Sequence, residues 1–583
     1  MEKPAINNPD IRRSNLIQFV LALIIIVLIN VIGSYLFTRI DLTTEKRFSL
    51  AASTKKMLRE TDDIVYFKVY LEGDFPAGFK RLSKSTREML DEFRAYNDNI
   101  EYEFIDPSAE PNAKTRKDIY DNLVKQGLQP TDINVKTTNG QEQQRIFPGT
   151  LVTYRGRELP INLLTDQMGA EPETMINNSI QSLEYNLSTV IRKLSTDNKP
   201  KIAFTFGHGE LPPIETADIR HSLSDYYVVE KVELNGNINA LASRHENSDG
   251  AFGIVNKYKA IVIAKPDSVF SEKDKFIIDQ FIMRGGKVLW LIDPVFASMD
   301  SLQKARQTIG VTQDINLNDQ LFKYGVRLNS NLLMDINALP IPMYTGNVGN
   351  QPQFSFFPWY YFPVLTPTSK HPIIKNLNAV RTEFVSSIDT VGSASIRKTI
   401  LLKTSEYTRI AMTPVMISLD IIGKEPDPRD YSQPPQPVAV LLEGSFESLF
   451  KNRLTEQITG APEIGFTEHS DKNRMIVIAD GDVIRNQVQL NNGSYVPLPL
   501  GYDRYTGQTF GNSELILNCV NYLCDDEGLM AVRARELRLR ALDVTKARKQ
   551  LLQWQLINTA GPVLLVLLFG IVQFALRKRR YTR

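Results

Sequence analysis

Two uncharged apolar stretches stand at opposite ends of this 583-residue chain and constrain everything between them. Leu16–Phe37 reads LIQFVLALIIIVLINVIGSYLF, 22 residues without a charge, enough for a helix to cross a hydrocarbon layer of ~30 Å. Leu556–Leu576 reads LINTAGPVLLVLLFGIVQFAL, and Pro562 near its start is expected to bend it. A cleaved signal peptide has a shorter apolar core and a small-residue cleavage site, so the first stretch reads as an uncleaved anchor. Arg12 and Arg13 precede it, and Arg577, Lys578, Arg579, Arg580 and Arg583 follow the second. By the excess of basic residues, tails 1–15 and 577–583 are expected in the cytoplasm and the roughly 520 residues between the spans outside it. Arg533, Arg535, Arg538, Arg540, Lys546, Arg548 and Lys549 crowd the outer side and oppose this, but long domains cross largely regardless of charge.

The body is an ordinary folded composition, 42% hydrophobic and 23% charged, and far too long for one core. Its 68 basic residues nearly match its 66 acidic ones, which gives no electrostatic reason for a nucleic-acid partner. The two cysteines, Cys519 and Cys524, lie five apart in NCVNYLCDD, a poor geometry for a bridge if that run is helical.

An α/β fold follows from the alternation of patterns. In 41–195, the strands 64–71, 100–107, 133–137 and 146–154 interleave with helices 79–96, 113–126 and 173–194, the βαβαββα order of a thioredoxin-like domain. Redox chemistry there needs Cys-x-x-Cys after the first strand, and EGDFPAGF stands in that place. In 199–530, the apolar strands 201–206, 227–234, 260–266 and 287–294 alternate with helices, the pattern of a flavodoxin-like parallel sheet. Ser271 is expected to cap one of these helices, and Gly285–Gly286 to stop it. Ligands on such sheets lie at the carboxyl ends of strands, which points to loops 207–210, 264–268 and 293–296. The region 331–470 is hard to divide, 474–484 reads as a returning strand and 513–523 as a packing helix. Residues 531–555 read as a basic juxtamembrane strand, over 532–542, and a helix leading into the 556–576 span.

Chemistry is sparse. No Gly-x-x-x-x-Gly-Lys-Ser/Thr occurs, so the chain cradles no nucleotide as a P-loop ATPase would. The five histidines and two cysteines show no zinc spacing, and neither metal nor cofactor is expected. Gly207-His208-Gly209-Glu210 at a strand end could bind an anion, metal or peptide carbonyl, or could simply make a tight turn. Asp480 and Asp482 could be acidic ligands or turn residues. Trp359, in QFSFFPWYYFPVL, fits an exposed recognition patch or a core equally well. For contacts with other membrane helices, Asn30 and Asn558 could hydrogen-bond across helices, beside Pro562 and the basic Arg538 and Arg540.

Many segments in order resemble one family: DLTTEKRFSLAAST, EFIDPSAEPNA, KIAFTFGHGELPP, FIMRGGKVLWLIDP, FFPWYYFPVL, LLKTSEYTR, LLEGSFESLFKNR, MIVIADGDVIRN and GNSELILNCVNYL. These are similar to the gliding-motility-associated ABC transporter auxiliary proteins of Bacteroidetes bacteria, the GldG family. The resemblance implies an inner-membrane protein with its bulk in the periplasm, working with a separate permease and a separate ATPase. It also implies a glutamine-amidotransferase-like second domain, yet Ala264-Lys265-Pro266-Asp267 offers no cysteine nucleophile, so no enzymatic activity is expected. A doubly tethered periplasmic solute-binding protein is the alternative, and a membrane-anchored hydrolase using His208 and Glu210 a more distant one.

Overall fold

A computed structural model describes residues 9–35, 49–535 and 548–581, apart from positions 138–139, 166, 168, 247–251, 350, 393–394 and 492. The chain divides into two compact units, one ending at Arg535 and the other beginning at Glu536.

Both terminal stretches are helical. Pro9–Tyr35 carries the apolar run Leu16–Val31 with its side chains exposed, and Phe37 lies outside the described residues. Leu551–Tyr581 runs unbroken through Pro562. Its Leu551–Arg579 stretch alone among the described helices is long and apolar enough to cross a membrane, and none of its most apolar window is buried. So much exposed hydrocarbon is unfavourable in water and favourable in a bilayer, which makes this helix a candidate membrane span. Asn558 is exposed on it, whereas Asn30 donates its amide to the Ile26 carbonyl of its own helix at 3.0 Å. Arg538 and Arg540 lie outside the described residues.

The first body holds a four-stranded sheet in the order Ile100–Phe104, Val65–Val69, Gly149–Tyr154, Arg157–Asn162. The first two strands are parallel, and the others are added antiparallel. Helices Ala77–Tyr96 and Pro172–Ser195 bury Leu82, Leu90, Phe93, Ile180, Leu183, Leu187 and Ile191 with the sheet in one apolar core. Two expectations are corrected. The predicted 146–154 strand breaks at Phe147–Pro148, because Ile146 ends a separate hairpin, Thr131–Thr137 with Gly140–Ile146. A further strand, Arg157–Asn162, follows the tight Arg155-Gly156 turn, where both residues take positive φ, 47° and 75°.

The second body is built on seven strands, in the order Ile396–Lys403, Pro437–Glu447, His469–Ile478, Lys287–Leu291, Ala260–Ala264, Lys201–Phe206, Val228–Glu233. The last five are parallel, and taken in chain order they lie second, first, third, fourth, fifth. The first two, drawn from the hard-to-read region, add antiparallel. Alternate residues feed opposite faces. Ile202, Phe204, Val262, Leu289 and Ile476 face helices Ala217–Ser224 and Asn512–Cys524. Ala203, Ile261, Ile263, Val288, Trp290 and Val477 face Glu272–Met283 and Asn318–Tyr324. Burial on both faces is why these strands are continuous apolar runs. Ser271 caps its helix by accepting from the Asp274 amide, and Gly285, with φ 85°, follows its end.

Beyond Arg306 the chain builds a smaller β-rich layer around Trp359, Tyr361, Phe362 and Ile417. Trp359 is fully buried there, which removes it as a surface recognition residue; strand alternation turns it inward while Phe354 and Phe356 point out. Of the expected strand at 532–542, residues 532–533 lie instead in the short helix Met530–Arg533, and 536–542 lie outside the described residues. Arg533 buries its guanidinium against the Lys375 carbonyl and Glu514. Trp359→Ala should cost about 3–5 kcal/mol in urea unfolding, as large-to-small core changes do, whereas Phe354→Ser should leave stability within about 0.5 kcal/mol.

Candidate functional site

The turn between the first and third parallel strands of a doubly wound sheet opens a crevice at their carboxyl ends, the usual ligand position. Here that crevice is closed by the loops that border it. Leu211 donates to the Ala264 carbonyl at 3.0 Å, and the Asp267 and Ser268 amides donate to the His208 carbonyl at 2.9 and 3.0 Å. Gly207 and Gly209 take φ values of 110° and 71°, left-handed backbone that favours glycine. Gly209 is also required by contact, because a Cβ there would fall 1.5 Å from Asp267 Oδ1.

Beneath this closure His208 is 6% exposed and sits between two carboxylates. Its Nε2 lies 3.3 Å from Asp274 Oδ2, its Nδ1 3.7 Å from Glu210 Oε1, and its ring stacks on Phe270 with centroids 3.8 Å apart. Glu210 accepts the His208 amide at 2.7 Å, while Asp274 accepts from Gly236 and Ser271. Burial alone would lower the His208 pKa, but hydrogen bonds and charge from Glu210 and then Asp274 outweigh it and raise it. Burial would raise Glu210 and Asp274, yet the donors around each hold both low. The result is a buried imidazole set between two carboxylates that favour its protonated form, with loops from three elements meeting around it.

A second cluster lies at the ends of the next two strands. Lys265 Nζ is 3.0 Å from Asp293 Oδ2 and hydrogen-bonded to Asp482. Lys265 itself has φ 54°, strained for a lysine, and its amide donates to the Leu291 carbonyl at 2.8 Å. Asp480, fully buried, accepts the Glu383 and Asp482 amides at 2.9 and 2.7 Å. Arg485 pairs with Asp482 at 3.3 Å and Glu215 at 2.8 Å, and Arg381 pairs with Glu383. Burial, with Asp482 and Asp293 nearby, pushes Asp480 well above the usual carboxylate range. Burial pushes Asp482 the same way, but Lys265 and Arg485 hold it low.

Carboxylate oxygens of Asp293, Asp480 and Asp482 lie within 4.8 Å of one another, close enough to hold a divalent cation. They could do so only with Lys265 displaced, because its ammonium already bridges two of the three. The two thiols are poor nucleophiles: Cys519 and Cys524 are buried in one helix, and burial raises both, Cys524 to about 11. Gly207, His208, Gly209, Glu210, Asp480 and Asp482 thus lie along one sheet edge, where most of their polar atoms are paired within the protein, although among the described residues His208 Nδ1 and Glu210 Oε1 are buried without a hydrogen-bond partner. Trp359 belongs to a different core. Sequence reasoning found the loops but missed Asp274, Glu383 and Arg485. Strand ends flagged Asp293 and Lys265 by position, whereas nothing local marks Glu383, which arrives from a distant segment.

Two measurements follow. Removing Lys265 leaves buried Asp293 without its cation and Asp482 with Arg485 alone, so Lys265→Met should cost about 3 kcal/mol in denaturant unfolding, partly recovered in Lys265→Met/Asp293→Asn. Because the fold raises His208 above its ordinary value of 6.5, its stabilisation is fully present below that pH and is lost as pH rises through the folded value. Glu210 and Asp274 are held low, so their contribution is present above ordinary values of 4.5 and 3.8 and is lost as pH falls through the folded ones. As pH rises above 6.5, the melting temperature should therefore fall more steeply for the native protein than for His208→Gln.

A family model described as a domain of unknown function matches residues 44–153. A solved structure titled "mmIFT52 N-terminal domain" is similar at 11% identity and a TM-score of 0.30, covering 56% of this chain and 98% of that one. No curated protein matches the sequence. A family model described as an ABC-type uncharacterized transport system matches residues 199–519, more than half of the chain, which takes in the seven-stranded sheet and both charged clusters. The chain belongs to that family of ABC transport-system auxiliary proteins.

Proposed function

We propose that the protein is a non-enzymatic accessory subunit of an ABC transporter of the gliding-motility kind, as in GldG. In this reading both terminal helices anchor it in a bacterial inner membrane, with its bulk in the periplasm and both ends in the cytoplasm. One observation carries the proposal: a fully exposed apolar helix, Leu551–Arg579, on a chain of the transport-system family. One or two spans are too few to line a transport path, so a separate permease supplies the remaining helices. With no P-loop in the sequence, a separate ATPase supplies the energy. The first body serves as a thioredoxin-like scaffold without redox chemistry and the second as a flavodoxin- or amidotransferase-like one without a nucleophile. The strand orders support both assignments, and the mutual pairing of the charged side chains supports a mechanical role for the sheet edge.

The test is recovery of partners. The tagged chain, extracted from its native membrane in mild detergent, should bring down a multi-span permease and an ATPase, and replacing 556–576 by polyleucine should lose both. Purification alone, with transport unaffected by deletion of the gene, would overturn the assignment. Alkaline phosphatase inserted at the exposed Gly507 turn should be active, and an inactive fusion would reverse the orientation.

A further inference from the structure

The two sheet-bearing bodies of the N-terminal unit meet through helix Pro172–Ser195 and the 525–535 segment. Tyr185 donates to Met530, Arg192 pairs with Asp525 at 3.5 Å, and Arg535 pairs with Glu184 at 2.9 Å. Beside this junction a cleft of about 340 Å3 remains open, and a smaller one of about 80 Å3 shares its Tyr185, Lys193 and Tyr226 walls. Clefts of this size at the meeting of two domains are where small ligands bind.

One wall is the strand Arg157–Asn162, through Leu159, Pro160, Ile161 and Asn162. It is the edge of its sheet. The two-residue turn makes Tyr154 and Arg157 a hydrogen-bonded pair, and Leu163 again donates to the Pro148 carbonyl at 2.7 Å. Between these, Glu158, Pro160 and Asn162 fall at the alternate positions, whose main-chain groups point away from the sheet. Pro160 fits that register, since it has no N–H to offer a neighbour. The wall therefore presents the Pro160 carbonyl and the Asn162 amide and carbonyl as a short pairing edge.

The opposite walls are rich in side-chain amides. Asn186 and Asn376 have no side-chain hydrogen bond among the described residues, and Asn521 uses only its Oδ1, accepting from Tyr227. The charges, by contrast, are matched within the protein: Lys193 pairs with Asp225 at 3.2 Å and lies 4.0 Å over the Tyr226 ring, and Arg533 pairs with Glu514. A ligand of strong net charge finds no unmatched partner here. Amide groups and an open strand edge match the repeating donors and acceptors of a peptide backbone.

We propose that this cleft binds a short, uncharged peptide in extended conformation, added as a strand along Arg157–Asn162. The inference is independent of whether transporter partners are recovered, because binding is measured on the purified chain, and it suits a tethered receptor as well as an accessory subunit.

The experiment uses the full chain in detergent micelles and a fluorescent library of neutral random heptapeptides, read by anisotropy, with the best binder then resynthesised. Expected are saturable binding and a loss of about tenfold or more in Asn186→Trp, which fills the cleft without altering the melting temperature. N-methylation of the peptide should weaken binding by about tenfold at alternate residues and little at those between, as strand pairing requires. Should Asn186→Trp fail to fold, Asn186→Ala/Asn376→Ala takes its place, and the methylation series needs no variant. The proposal is overturned if no peptide binds, if the filled cleft binds as well as the open one, or if methylation shows no alternation. Neutral oligosaccharides bound in place of peptides, and blocked by Asn186→Trp, would overturn it too.

Discussion

An ammonium group held between carboxylates organises the carboxyl edge of the large sheet. Lys265 follows one central strand, Asp293 follows its neighbour and Asp482 follows the next, so a single cation gathers three strand ends. Taking an ammonium out of water costs several kcal/mol, which is recovered only where opposite charges converge with good geometry. Two carboxylates supply that convergence, and the Leu291 carbonyl fixes the strained backbone from which the side chain departs. Gly481 is part of the same fit: a Cβ there would fall 2.5 Å from the Lys265 side chain. With the His208 clasp beside it, the edge becomes a rigid floor where other sheets of this order leave a ligand crevice.

That closure changes what the fold can offer. The familiar ligand position is filled by the protein's own charges, so recognition moves to places where main-chain or amide groups stay open. The cleft at the junction of the two bodies is such a place. Its wall is an edge strand, the feature that a folded protein must either cover or put to use.

How far these features can be read from sequence depends on whether the cause is local. Strands 201–206, 260–264 and 287–291 were legible because burial on both faces demands unbroken apolar runs, and the helix after Ser271 because its cap and its glycine stop lie within it. Strand Arg157–Asn162 was not, since RELPIN is half exposed, contains a proline and alternates too weakly. Residues 438–442 of Pro437–Glu447 are as apolar as any central strand, yet the strand's place beside His469–Ile478 follows from tertiary pairing alone. At the charged edge, His208 and Glu210 were visible as a strand-end motif. Asp274, which faces His208, and Glu383, whose amide donates to Asp480, come from elements far along the chain. Trp359 carried no local sign of which way its strand would face.

The sheet's connectivity has a temporal side. Lys287–Leu291 and its parallel neighbour His469–Ile478 are separated in the chain by everything from Ile292 to Glu468. During synthesis the fourth parallel strand must therefore wait, one edge unpaired, while the whole β-rich insertion is made. Contacts this distant in sequence form slowly, and an unpaired apolar strand is open to wrong partners meanwhile. A chaperone that shields this edge, or an early hairpin of the insertion laid across it, would decide the yield of folded protein more than any contact in the finished sheet.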